Sequence, residues 1–201
     1  MALAEQGFAT TDTLLDGAEL PPLHAAIERI FERCSAAMGD RERWLKVVNQ
    51  VRDPELWDPA FAALKADPRL ARVASEALDE PARPAWLHLV WKRPGCTLHL
   101  PWHVDRPTWP QEIRSFNAVA LWVALDDSGP EQGGLKYAPG SHIASTQRCE
   151  AIACPIVPAG AGLLHHPDVL HASAGNPTDR WRRACVLVYT GGQPGKSASA
   201  P

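Results

Sequence analysis

The chain changes its patterning near residue 84, and that change limits its fold more than any other feature. Before it, apolar residues recur at helical spacing. After it, tryptophan, valine and leucine gather in short runs separated by glycine, proline and aspartate. A chain that writes helices first and strands second builds segregated layers rather than alternating βαβ units. In the first part, Pro21 and Pro22 precede a helix predicted from about Leu23 to Cys34, with Leu23, Ala26, Ile27, Ile30 and Phe31 on one face. Asp58-Pro59 and Asp67-Pro68 each pair a capping acid with a proline at the first helical position. They predict short helices over Ala60–Lys65 and Arg69–Leu78, which Pro81 and Pro84 stop from continuing.

The second part predicts strands over Ala85–Lys92, Leu98–His103, Val119–Leu125, Leu135–Ala138, Ile152–Val157, Gly162–His165 and Arg183–Thr190. Short strands in that number fit a sandwich, jelly roll or barrel. With 201 residues the expectation is one domain over 1–190, helical over about 1–83 and β-rich over about 84–190, with a disordered tail at 191–201. Twenty basic against 23 acidic residues give a net charge of −3, which argues against a nucleic-acid or anionic-membrane partner. The apolar runs at Ala118–Leu125 and Cys185–Tyr189 fall far short of the roughly 20 residues of a membrane span. Met1-Ala-Leu-Ala-Glu-Gln lacks the basic flank of a secretory signal, and five cysteines without Cys-x-x-Cys spacing fit reduced thiols. A cytoplasmic location is expected.

Two segments carry chemistry. In Pro101-Trp102-His103-Val104-Asp105, alternation along a strand would put His103 and Asp105 on one face, although such a triplet also arises by chance. In Leu163-Leu164-His165-His166-Pro167-Asp168-Val169-Leu170-His171-Ala172-Ser173, His171 falls where a core would place another aliphatic residue. Two histidines and a carboxylate on one face form the triad of non-haem Fe(II) oxygenases, and zinc sites are built from the same set. Arg182, eleven residues beyond His171, separates the two readings if an antiparallel return carries it over the metal to pair with a dicarboxylate. The plainer alternative makes Arg180, Arg182 and Arg183 a solvated cluster at a strand entrance.

The segments Lys92-Arg93-Pro94-Gly95, Trp102-His103-Val104-Asp105, Leu121-Trp122-Val123-Ala124-Leu125-Asp126-Asp127, Gly133-Gly134-Leu135, Pro139-Gly140-Ser141-His142, His171-Ala172-Ser173 and Arg182-Arg183-Ala184 occur in an informative order. Together, over roughly Ala85–Tyr189, the chain resembles the phytanoyl-CoA hydroxylase family of Fe(II)- and 2-oxoglutarate-dependent dioxygenases, which also contains ectoine hydroxylase. The resemblance implies a double-stranded β-helix (a cupin-like jelly roll) flanked by helices. It implies iron ligands His103, Asp105 and His171, with Arg182 and Ser173 holding the distal carboxylate of 2-oxoglutarate, and Trp122 and His88 lining that pocket. Trp109 matches an aromatic near the site of ectoine hydroxylase, its plainer role being a rim residue packed on Pro107 and Pro110.

The implied chemistry uses O2 and 2-oxoglutarate to oxidise an unactivated C–H bond, releasing succinate and CO2. The carboxylate of Asp105, where related halogenases carry a small residue, favours hydroxylation or another oxidation without halide, with desaturation, ring closure and epoxidation open to the same ligand set. His171 follows His103 by 68 residues, a shorter interval than in better-known members, and the missing material falls after His142. A small or medium organic metabolite is the expected substrate, aided by Arg106 or Lys136 if it is anionic. Competing readings are a cupin-like metal-dependent isomerase or hydrolase that dispenses with Arg182, and a non-catalytic, ligand-binding family member. His142 is expected to fix its own turn, His24 to lie on a helix surface, and His99, His165 and His166 to serve packing or outer positions.

Overall fold

A computed structural model describes residues 2–143 and 152–194. The first part carries α1 (Ala2–Gln6), β1 (Phe8–Thr10), α2 (Leu20–Ser35), α3 (Arg41–Val47), β2 (Gln50–Arg52), α4 (Pro59–Lys65) and α5 (Pro68–Leu78). The helices start where the sequence says they should. Asp58 and Asp67 accept hydrogen bonds from the N–H groups of Ala60 and Arg69, with proline at the first helical position of each. Two strands, β1 and β2, interrupt the stretch that patterning reads as wholly helical, because three-residue strands leave no period to detect.

The second part supplies β3 (Arg83–Lys92), β4 (Leu100–His103), β5 (Phe116–Ala124), β6 (Leu135–Tyr137), β7 (Gly162–His165), β8 (His171–Ser173) and β9 (Arg182–Pro194). They form a six-stranded sheet, ordered β1-β7-β5-β9-β3-β2, and a three-stranded sheet, ordered β4-β8-β6, paired antiparallel throughout. This is the jelly-roll core expected, flanked by helices. The expected strand over 152–157 is reduced to single bridges at Ala153 and Val157. The last strand runs on through Pro194, past Gly191 where patterning starts the tail. The rest of that tail, 195–201, lies outside the described residues, as does 144–151, where the shortened loop after His142 was expected.

Strand alternation explains how the large sheet serves two cores. Leu87, Leu89, Trp91, Val119, Leu121, Val123, Cys185, Leu187 and Tyr189 pack with the helices around Ile27, Phe31, Phe61 and Leu70. Phe31 and Trp44 close on Trp91 with ring centroids 4.6 and 5.7 Å from Phe31 to Trp91 and Trp44, respectively. The intervening residues, Trp86, His88, Lys92, Trp122, Arg182, Val186 and Val188, face the interior between the sheets and line one cavity. Both faces are covered, so these strands read as continuous apolar runs. No helix among the described residues is long and apolar enough to cross a membrane.

Candidate active site

His103 ends β4 and His171 begins β8, directly opposite each other in the small sheet, with ring centroids 4.2 Å apart. Asp105 joins them by a different route from strand alternation. The strand stops at His103, and Asp105 takes a helical conformation (φ −79°, ψ −42°) at the head of a short turn over Arg106–Thr108. The N–H groups of Asp105 and Arg106 both donate to the carbonyl of Pro167, at 2.9 and 3.1 Å, so the loop before His171 holds the carboxylate in place. Asp105 Oδ1 lies 3.5 Å from His103 Nε2 and 3.7 Å from His171 Nε2. One donor atom from each of the three residues lies within 4.8 Å of the others, a set able to hold a metal ion.

The protonation pattern fits a metal. Nδ1 of His103 lies 2.8 Å from the carbonyl of Pro101, and Nδ1 of His171 lies 3.0 Å from that of Val169. A carbonyl only accepts, so each Nδ1 carries the proton and each Nε2 offers its lone pair inward. Burial, with His165 nearby, brings the pKa of His171 down to about 4, keeping it neutral. Burial also acts on His103, but the neighbouring Asp105 carboxylate outweighs this and raises its pKa. At Asp105 burial opposes ionisation, yet the neighbouring His103 and the hydrogen bond from His165 prevail and hold its pKa well below the usual carboxylate range. His165 is the partner that patterning could only call an outer group. Its Nε2 donates to Asp105 Oδ2 at 3.1 Å, and the buried Tyr137 hydroxyl donates to its Nδ1 at 3.2 Å.

The cavity beside this triad has a volume of about 500 Å³. Arg182 enters it from β9, in the large sheet, whereas His171 lies in the small one; the guanidinium therefore arrives from across the barrel and not by a hairpin return. Only 4% exposed, Arg182 gives one Nη2 hydrogen bond to Gly133 O at 3.2 Å, lies 5.7 Å from the centre of the Trp122 ring, and keeps an Nε with no partner. An unpaired buried donor is costly, so this pocket suits an incoming carboxylate. Gly133 is fixed by geometry: φ is +68°, and a Cβ there would lie 2.5 Å from the carbonyl oxygens of Ala174 and Gly175. Ser173 and His88 line the same cavity, and burial, with Arg52 close by, lowers the pKa of His88.

Trp109 also lines the cavity, but it packs edge-on against Trp86, with centroids 5.2 Å apart. Arg106 and Lys136 do not line it. The Arg106 guanidinium is spent on Asp168, at 2.7 Å, and on the carbonyls of Arg114 and Phe116. Lys136 pairs with Ala172 on the face of the small sheet opposite Leu135 and Tyr137. Patterning missed Lys92, Asn49, Gln50, Arg52 and Asp53, all cavity-lining. The signal for Lys92 was its even parity with Trp86 and His88; β2 gave none. His142 reaches the carbonyl of Ala4 in α1 instead of fixing its own turn, His24 is half-buried on the carbonyl of Leu125, and His99 is exposed.

Comparison with known proteins places the chain among relatives. An ectoine dioxygenase of Nocardia farcinica (strain IFM 10152) is 27% identical over 219 residues, covering 91% of this chain and 74% of that protein. The crystal structure of AviO1 from Streptomyces viridochromogenes Tue57 is 26% identical, with a TM-score of 0.77 and coverage of 100% of this chain and 94% of that one. EctD from S. alaskensis, solved with 2-oxoglutarate and 5-hydroxyectoine, superposes with a TM-score of 0.80 at 23% identity, covering 100% of this chain and 79% of that one. The family described as phytanoyl-CoA dioxygenase (PhyH) matches residues 3–184. The chain therefore belongs to the PhyH family, and it is an Fe(II)- and 2-oxoglutarate-dependent dioxygenase that uses O2.

Proposed function

We propose that one dioxygenase domain over residues 1–190 holds Fe(II) through His103, Asp105 and His171 and hydroxylates a small or medium organic metabolite. The observation that carries this is the convergence of those three donors beside a cavity whose far wall holds a buried, under-bonded arginine. Bound iron and 2-oxoglutarate together supply C–H oxidation with release of succinate and CO2. The protein's own part is positioning. Arg182 and Ser173 take the distal carboxylate, Trp122 lies beneath the guanidinium, and His88 closes the wall. With its carboxylate present, Asp105 favours hydroxylation over halide transfer.

The mouth argues for the substrate's size and character. About 500 Å³ is within the range of small-molecule pockets, and its wall is apolar at Trp86 and Trp109 and polar at Gln50, Arg52 and Asp53. A metabolite with a ring or hydrocarbon face and polar substituents fits both. Cys34, Cys96, Cys154 and Cys185 are all free thiols, which supports a reducing, cytoplasmic setting. The test is anaerobic addition of Fe(II) and 2-oxoglutarate, read as the weak charge-transfer band in the visible. The wild type is expected to show it, and His171→Ala to lose it. A wild type with no band would overturn the assignment. Succinate release in a metabolite screen then identifies the substrate.

A further inference from the structure

The mouth of the cavity carries two opposite charges that the fold leaves unused. In β2, Val51 is buried towards the helices, so alternation turns Arg52 to the other face, beside its register partner His88 on the cavity wall. Arg52 and Asp53 both line the cavity. Among the described residues, neither side chain makes a hydrogen bond or an ion pair, with the other or with any neighbour. Glu55, the next acid along, is by contrast taken up by Lys65.

Asp53 also departs from a pattern the chain follows elsewhere. Asp53-Pro54 repeats the pairing of Asp58-Pro59 and Asp67-Pro68, whose extended acids accept hydrogen bonds from the N–H groups of Ala60 and Arg69. A residue before proline is driven to that extended form. Asp53 instead stands at φ +50° and ψ +50°, in the left-handed region, and its carboxylate gives up the capping bond. The backbone N–H of Asp53 donates to the carbonyl of Leu87 at 3.0 Å, which pins this strained conformation to β3. The carboxylate that would have closed the turn is spent on the cavity.

We infer that Arg52 and Asp53 together read a zwitterion. The substrate is a small amino-acid-like metabolite whose carboxylate meets Arg52, whose ammonium group meets Asp53, and whose carbon body lies on Trp86 and Trp109 towards the triad. Such a ligand fills the site assigned above, and its assignment rests on that dioxygenase reading. The guanidinium fork matches a carboxylate, and an ionised acid, which only accepts, matches an ammonium. A ligand with one charge satisfies one of the two residues and is opposed by the other, so selection comes from the pair. Trp86 and Trp109 meet edge-on and supply the apolar surface that the carbon body needs.

The test uses the protein amino acids and small cyclic and β-amino acids. Each is compared with its N-acetyl form, which keeps only the carboxylate, and its amide, which keeps only the ammonium. Anaerobic calorimetry on the protein loaded with Fe(II) and 2-oxoglutarate gives a dissociation constant for each, with no turnover required. At least one free amino acid is expected to bind about tenfold or more tightly than both of its blocked forms, the scale of one charge-assisted hydrogen bond. For that ligand, Arg52→Gln should weaken the free and N-acetyl forms about tenfold and leave the amide within about twofold. Asp53→Asn, which tolerates the left-handed backbone, should weaken the free form and the amide and spare the N-acetyl form. Equal losses for all three forms would make these residues structural and overturn the inference, as would a panel in which no free amino acid outbinds its blocked forms. The 2-oxoglutarate charge-transfer band tells the two failures apart. A wild type without the band loses the dioxygenase reading and this inference with it; a wild type with the band but no preference for zwitterions loses this inference alone.

Discussion

Asp105 has two carboxylate oxygens, and the chain commits a buried histidine to the one that does not face His103 and His171. His165, 2% exposed, holds Oδ2, and Tyr137 holds His165 in turn. The arrangement leaves Oδ1 as the oxygen offered to a metal and fixes its direction before any ion arrives. Outer partners of this type are worth about 10- to 100-fold in metal affinity. His165→Phe, which keeps an aromatic ring in the same space, is therefore expected to weaken Fe(II) binding by at least about tenfold, read by anaerobic titration. Affinity equal to the wild type would show that Asp105 needs no tether. Little of this was legible in the sequence, where His165 is one of two adjacent histidines with no spacing signal of its own. The triad was legible because its three residue types stand in recognisable segments. The route by which Asp105 gets there was not, since a backbone bond to Pro167 is a contact across 62 positions.

At the scale of elements, β5 and β9 are tied where the first ends and the second begins. Asp126, just past β5, accepts from the backbone N–H of Arg183 and from its Nε and Nη2, each at 2.8 Å. Burial opposes ionisation of Asp126, but these bonds prevail and bring its pKa to about 2, below the usual 3.8. A carboxylate whose pKa is lowered by folding stabilises the fold above its unfolded value, and that contribution disappears as pH falls through the folded one. Asp126→Asn is expected to cost about 2 kcal/mol in urea unfolding near neutral pH. The gap between variant and wild type should narrow as pH falls from 4 towards 2; a constant gap would mean the ion pair is not its source. The helices were legible because capping acids and prolines act locally. β2 and β8 were not, because three residues of strand are set by their partners and not by themselves.

For the whole molecule, the jelly roll could be read from the run of short apolar strands, but which strand lies in which sheet could not. Arg182 reaches its cavity through the large sheet while His171 belongs to the small one, a partnering decided by closure of the barrel and by nothing in the ten residues between them. That closure links ligand binding to global stability. Each ligand at about 100 times its Kd adds about 2.7 kcal/mol. For a chain of this length that is a rise in melting temperature of about 5–10 °C. Mn(II) and 2-oxoglutarate added in turn should each raise the melting temperature under argon, and Arg182→Met should keep the metal's increment and lose the cosubstrate's. A variant that keeps both increments would contradict the assignment of that pocket.

The cavity rim at Asn49, Gln50, Arg52 and Asp53 comes from a three-residue strand and the residue on either side of it; that strand pairs only with β3, at the margin of the large sheet. His103, His171 and Arg182 sit on other strands altogether, and Asp105 on the turn after β4. Mutation can thus rewrite the entrance without disturbing the reactive centre. For a lineage, this makes the oxidative apparatus heritable as a fixed cassette while the guest list drifts. For an engineer, randomising residues 49–53 is the shortest path to a new specificity on an unaltered oxidant.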